Sequence, residues 1–172
     1  MEIKVDLTVR SIEDGIKKIK ELKRLFGVIE KEFMIESLHH IRDKANSYLD
    51  ERVYAFPNSA NVKDYWVIES SGLNKWTLRN TYEISTLIEF GTGIAGQQNP
   101  HKQADDANYE YDVNNHGSKG WSFKFYYDGV EYDYKNYTGF KGKSFLYDAF
   151  YDYFYHKEYI TIYKRVYSKY IQ

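Results

Sequence analysis

The chain has 172 residues, a formal net charge of −1 and no cysteine. Its hydrophobic fraction of 42% predicts a folded chain with a substantial core, and its length favours a single domain over residues 1–172. The near-neutral charge argues against a dedicated nucleic-acid-binding protein, and the lack of cysteine excludes disulfides, thiolate metal sites and cysteine nucleophiles. The sequence contains no membrane-spanning run and no secretory leader, so we expect a protein made in the cytoplasm without membrane partners.

The first third of the chain predicts a strand and then a long helix. Residues 2–9 alternate between apolar and polar types, as in a short strand with one buried face. From Ile12 to Tyr48 apolar residues recur at spacings of three and four, which is typical of a helix. Gly27 lies inside this pattern and could break the helix in two. Pro57 ends the helical region.

The middle of the chain predicts short strands and then a loop. Residues 65–68, 75–78 and 82–90 are rich in aromatic and β-branched types, which favours strands of a small antiparallel sheet. For residues 87–90 a short helical turn fits equally well. Residues 94–119 contain little core-forming material, and we interpret them as a long polar loop.

The last third predicts a hairpin and a helix. Asp128 and Gly129 separate two alternating runs, which is a strong hairpin pattern. Helical spacing then begins at Ser144, which we expect to act as the N-cap, and continues through a Tyr-rich C-terminal helix over residues 144–171. The predicted class is therefore α+β, with a long N-terminal helix and a C-terminal helix packed on a small antiparallel sheet.

Two glycine-bearing segments stand out from this pattern. The first runs from Ile84 to Gly93 and reads ISTLIEFGTG, and the second runs from Thr138 to Phe150 and opens the last helix. Gly91-Thr-Gly93 is not a phosphate loop, because no Lys and Ser or Thr follow the second glycine, so we expect a turn with positive φ. Glu89 is a carboxylate in an apolar setting, and we expect a backbone amide or an arginine such as Arg79 to hold it.

Only one group of residues has the types that bind metals. It lies in the predicted loop and consists of His101, Asp105, Asp106, Asp112 and His116. The spacing of these residues matches no metal motif. We therefore assign no catalytic, cofactor-binding or metal-binding residue and predict a protein that is not an enzyme and has no cofactor. Two alternatives stay open: a metal-dependent hydrolase or nuclease that uses the His101–His116 loop, and a small host-interaction protein of a mobile element.

The glycine segments carry a resemblance to a known family. Leu87–Gly93, followed by Gly139–Phe150 at the start of the last helix, resembles the gene-product-ten-like family of tail components, which are head–tail joining or tail-completion proteins of tailed phages and prophages. Three sequence motifs are characteristic of the family. The segments that match them here are Ser71-Gly72-Leu73, Glu89-Phe90-Gly91-Thr92 and Gly142-Lys-Ser-Phe145-Leu146. Ser144 stands where the family tends to have proline.

The resemblance implies a structural protein of the virion neck or tail, made in the host cytoplasm, that forms a homo-oligomeric ring. Its implied partners are copies of itself and neighbouring neck, connector or tail-tube proteins, and DNA could pass through the ring without specific binding. We expect the loop over residues 94–119 to contact an adjacent subunit, DNA or a neck protein. The residues expected to matter for structure and assembly are Glu89, Phe90, Gly91, Thr92, Gly93, Gly139, Gly142, Phe145 and Leu146.

Overall fold

A computed structural model describes residues 9–52, 62–72, 74–113, 120–127 and 129–171 of the chain. The fold is α+β, as the sequence predicts, with long helices and small antiparallel sheets. The expected strand at residues 2–9 lies outside the described residues, except for its last residue, which already belongs to the first helix. Pro57, Leu73 and His116 also lie outside them.

The first helix, α1, spans Val9–Arg52 without interruption. Gly27 does not break it, because one glycine in a helix costs only about 1 kcal/mol relative to alanine. The buried side of α1 begins at Ile29 and continues through Ile41, Ala45 and Leu49 at helical spacing. Packing along this side stabilises the second half of the helix.

Within the described residues, the strands form three separate pairs rather than one sheet. The elements that follow α1 are β1 (Trp66–Gly72), β2 (Lys75–Asn80), the short helix α2 (Ser85–Phe90), β3 (Gly91–Thr92), the short helix α3 (Gly93–Gln97), β4 (Trp121–Tyr127), β5 (Val130–Tyr137) and β6 (Phe140–Lys141). The antiparallel pairs are β1 with β2, β3 with β6, and β4 with β5. The predicted strands near residues 65–68 and 75–78 and the predicted hairpin are therefore confirmed.

The predicted strand over residues 82–90 is wrong, and the helical alternative for its end is correct. The helix α2 buries Ser85, Ile88 and Glu89, which lie at spacings of three and four. Alternating burial would have left one of these side chains on the exposed face of a strand. The positive φ of 87° at Gly91 then ends the helix.

The predicted single helix over residues 144–171 is also wrong. Two helices are present, α4 (Phe145–Tyr155) and α5 (Glu158–Tyr170), and Lys157 between them has a left-handed φ of 55°. The break redirects the chain so that both helices pack against α1. The buried residues of α4 and α5 that form this packing are Phe145, Ala149, Tyr153, Ile162 and Val166.

Within the described residues, the predicted long polar loop is wrong at residues 94–97; residues 98–113 form turns and irregular backbone, and most of them are exposed. Residues 93–97 form α3, and the turns that follow bury His101 and Ala104. The segment folds back because Tyr109 and Tyr111 hold it: the Tyr109 hydroxyl donates to Gly91 O at 2.6 Å, and the Tyr111 hydroxyl accepts from His101 N at 2.7 Å. Residues 114–119 lie outside the described residues.

Candidate functional site

The two glycine segments of the sequence lie directly against each other. In the β3–β6 pair, Gly91 is opposite Lys141 and Thr92 is opposite Phe140. The pairing continues where Lys143 N donates to Ile88 O at 2.8 Å. We call residues 88–93 together with residues 138–144 the glycine latch. Sequence patterns identified both segments but gave no sign that they touch.

The latch requires glycine because its two backbones approach more closely than a Cβ allows. A Cβ on Gly139 would lie 1.9 Å from Thr92 O, and a Cβ on Gly91 would lie 2.4 Å from Gly142 N. The φ angles are also positive, 90° at Gly139, 87° at Gly91 and 63° at Gly93. The predicted positive φ at Gly91 and Gly93 is therefore confirmed, although the turn follows a helix and not a strand.

The carboxylate of Glu89 caps α4. Leu146 N donates to Glu89 Oε2 and Tyr147 N donates to Glu89 Oε1, both at 2.9 Å. A negative charge at this end of a helix also interacts favourably with the helix dipole. The expected backbone-amide partner of Glu89 is confirmed, whereas Arg79 pairs with the exposed Glu69 at 2.9 Å.

Ser144 does not act as the predicted N-cap. Its side chain makes no capping hydrogen bond, and its backbone has a left-handed φ of 47°. Its backbone N instead donates to Glu89 O at 3.1 Å. This conformation turns the chain from the latch into α4, and Glu89 takes over the capping role. Proline, whose φ is fixed near −65°, does not fit at this position.

His101 packs against the latch residue Glu89. Its side chain is buried, its Nδ1 accepts a hydrogen bond from Gln103 N at 3.1 Å, and its Nε2 lies 3.2 Å from Glu89 Oε1. The latter contact lacks hydrogen-bond geometry, so it is an electrostatic approach of a ring N–H to a carboxylate. Across the described residues, no group of three or more His, Asp or Glu side chains is placed to hold a metal ion. Asp105 and Asp106 are exposed.

Aromatic rings cover this buried pair. The Phe90 ring lies 4.5 Å from the His101 ring and stacks on Tyr109 at 4.6 Å between centroids. The Tyr147 ring meets His101 edge-on at 5.3 Å. Burial raises the pKa of the Tyr109 hydroxyl. Sequence reasoning missed this cluster, since nothing local to His101 indicates Glu89 or Phe90 as its neighbours.

A positively charged cleft opens beside the latch. Its volume is about 620 Å³, and it is lined by Arg52, Asn99, Pro100, His101, Lys102, Lys141, Gly142, Lys143, Ser144 and Asp148. Asp148 is neutralised by Arg52 at 2.6 Å. No carboxylate of the described residues pairs with Lys102, Lys141 or Lys143. We call this feature the lysine cleft.

Two of the described helices present the most exposed sets of apolar side chains. The aromatic face of α4 comprises Phe150, Tyr151, Phe154 and Tyr155, each between 48% and 65% exposed. The apolar stripe of α1 comprises Ile12, Ile16, Ile19 and Phe26, each between 43% and 57% exposed. The spacing of each set places its members on one side of its helix. Each set forms a contiguous group, whereas the surface of an ordinary monomer carries mainly single, scattered apolar side chains.

The three isoleucines of the apolar stripe belong to a part of α1 that precedes the packed region, and Phe26 lies at the start of that region. In the described part of the chain, Leu25 is the first α1 residue packed against the core. Residues 9–24 therefore extend about 24 Å before that point. None of the described helices combines the length and the hydrophobicity that a membrane crossing needs.

Comparisons with known proteins give no family for the chain: no family model, no curated protein and no solved structure matches it.

Proposed function

We propose that this chain is a non-enzymatic structural protein of a tailed phage or prophage that joins head to tail or completes the tail as one subunit of a ring. The proposal places it in the virion neck or tail, next to neck, connector or tail-tube proteins. Its sequence support is the resemblance of Glu89-Phe90-Gly91-Thr92 and Gly142–Leu146 to the head–tail joining and tail-completion family. Its structural support is the presence of two separate exposed apolar surfaces on one chain.

A closed ring needs two different surfaces on each subunit, because every copy contacts one neighbour with each of them. The aromatic face of α4 and the apolar stripe of α1 meet that requirement. They cannot meet within one copy. Tyr153 of α4 contacts Ser37 of α1, and Ser37 lies about 27 Å along α1 from Ile19. Since neither surface can cover the other within one copy, we infer that a second chain covers each of them.

The chemistry of the two surfaces suits subunit packing. Aromatic residues are enriched in protein interfaces, and the tyrosines of α4 offer large rings with a polar edge. An isoleucine stripe on a projecting helix is a common partner for such a groove or face. We therefore infer that the start of α1 from one copy packs on the aromatic face of the next copy.

The latch acts on assembly indirectly in this proposal. Glu89 caps α4, while the buried Phe145 and the partly buried Leu146 fix its first turn in the core. The latch glycines hold the strand pair that brings Glu89 to this place. These residues position the aromatic face without touching the neighbouring subunit.

Light scattering on two variants tests the proposal. One variant carries Ile16→Glu and Ile19→Glu, the other carries Tyr151→Glu and Tyr155→Glu, and Tyr65→Glu is the control at an exposed tyrosine outside both surfaces. We expect the wild type and the control to form rings in negative-stain images and each double variant to be monomeric.

Mixing the two double variants tests the head-to-tail arrangement. Each mixed pair retains one intact combination of stripe and aromatic face, so the mixture should form a heterodimer and nothing larger. Rings that survive both double substitutions would contradict the proposed interface. A wild-type chain that stays monomeric at high concentration would favour the host-interaction protein instead.

A further inference from the structure

We propose that the lysine cleft binds phosphate groups of a nucleic-acid backbone. The inference does not depend on ring formation, because all the groups involved belong to one chain. It starts from the contrast between a formal net charge of −1 for the whole chain and a local excess of positive charge in this cleft.

The positive charge of the cleft is not neutralised internally. Arg52 Nη1 is already committed to Asp148 at 2.6 Å and to Lys143 O at 2.8 Å. The ammonium groups of Lys102, Lys141 and Lys143 have no carboxylate partner within the part of the chain described. A cleft with three such groups concentrates phosphate oxyanions from solution.

The three lysines are attached to rigid backbone. Lys141 belongs to the β3–β6 pair, and Lys143 N is bonded to Ile88 O within the latch. Lys102 directly follows the buried His101, and its Nζ lies 5.6 Å from the ring centroid of Tyr147 and 5.7 Å from that of Tyr151. Little backbone entropy is lost when these groups meet a ligand, since their attachment points are already fixed.

The cleft offers contacts to phosphates and not to bases. The Asn99 side-chain amide donates to Ala95 O at 3.0 Å. The Tyr147 and Tyr151 rings stack on each other at 6.4 Å, and Lys102 lies over both. Neither tyrosine is among the residues that line the cleft, so their rings do not offer a stacking surface to a base inside it. Lysine binds phosphate as a point charge, so the binding we infer is independent of sequence.

Fluorescence anisotropy with a fluorescein-labelled DNA duplex measures this binding in the full chain. Three phosphate contacts predict a slope of about −2.7 for the logarithm of the association constant against the logarithm of salt concentration. Affinity should then fall about 40-fold between about 50 and about 200 mM salt. Two duplexes of unrelated sequence should give the same constants.

A charge-matched pair of triple variants decides where the DNA binds. The test variant carries Lys102→Gln, Lys141→Gln and Lys143→Gln, and the control carries Lys17→Gln and Lys18→Gln on α1 and Lys75→Gln on β2, which are exposed and belong to neither the apolar stripe nor the cleft. Circular dichroism checks that both remain folded. We expect the test variant to lose the salt slope and most of the affinity, and the control to keep both.

Three results would overturn the inference. One is equal loss of binding in both triple variants, because the DNA would then respond only to net charge. Another is undiminished binding in the test variant. The third is displacement of the duplex by an equal concentration of inorganic pyrophosphate, which would assign the cleft to a small phosphate ligand.

Discussion

The glycine latch and the start of α1 differ in what determines their structure. In the latch, backbone from residues 88–93 touches backbone from residues 138–144 so closely that Gly139 and Gly91 admit no side chain. On α1 nothing lies within 4 Å of a Cβ built on Gly27. The latch therefore depends on contacts between distant segments, whereas this part of α1 depends on helix propensity and on what covers its apolar stripe.

The largest expected change in stability comes from alanine at a latch glycine, compared with alanine at a glycine of α1. Gly139→Ala should cost about 3 to 5 kcal/mol of unfolding free energy, because the new Cβ meets Thr92 O and a positive φ is unfavourable for alanine. Gly27→Ala should instead stabilise the chain by about 0.5 to 1 kcal/mol. Urea denaturation measures both, and similar values for the two variants would remove the contrast between latch and helix.

Ser144 provides the next test of the latch. Ser144→Pro should cost about 3 kcal/mol, since proline cannot adopt the observed φ and lacks the N–H that donates to Glu89 O. Ser144→Gly should be neutral or stabilise by about 1 kcal/mol, because glycine accepts a left-handed φ. If the proline variant were as stable as the wild type in urea, the helix start described here would be wrong.

Removing the Glu89 cap from α4 should lower the free energy of unfolding by somewhat less. Glu89→Gln leaves one of two backbone N–H groups facing an amide N–H₂ and removes a buried charge from the helix terminus, so we expect a loss of about 2 to 3 kcal/mol. Glu69→Gln is the matched control, because Glu69 is an exposed carboxylate paired only with Arg79. That variant should lose less than about 1 kcal/mol. Equal losses would argue against the capping role.

The smallest expected effect is a pH dependence at the packing of α5 on α1. Burial raises the pKa of the Glu158 carboxyl, but hydrogen bonds from Lys44 and His40 outweigh burial, and the pKa is lower than its usual 4.5. A lowered pKa in the folded state contributes stability above pH 4.5 that disappears as the pH falls through the lowered value.

Glu158→Gln should therefore flatten the acid limb of a plot of unfolding free energy against pH. The exposed Glu83→Gln serves as the control and should leave that limb unchanged. An acid limb of wild-type steepness in the Glu158 variant would mean that other carboxylates govern the acid response of this contact.

Sequence patterns predicted the features that local chemistry determines. The alternation on either side of Asp128 and Gly129 gave the hairpin, and the spacing of three and four gave α1 as a helix. The expectation of a backbone-amide partner for Glu89 was also correct in kind. Which helix that partner belongs to could not be predicted, because Glu89 and Leu146 are 57 residues apart.

Two of the incorrect predictions, the long loop and the single last helix, share a physical cause. Residues 94–113 have a polar composition, yet the hydrogen bond from Tyr109 to Gly91 O folds them against the latch. The helical spacing beyond Ser144 continues across Lys157, yet packing on α1 favours a break there. In both places long-range contacts overrule the local pattern, and a single sequence does not reveal such contacts.

The cap that Glu89 supplies to α4 also has a consequence for the order of events during synthesis. Because the capping carboxylate and the capped amides are 57 residues apart, the first turn of α4 gains its cap only after both segments have left the ribosome. The helix that carries the aromatic face therefore depends for its cap on a residue synthesised well before it.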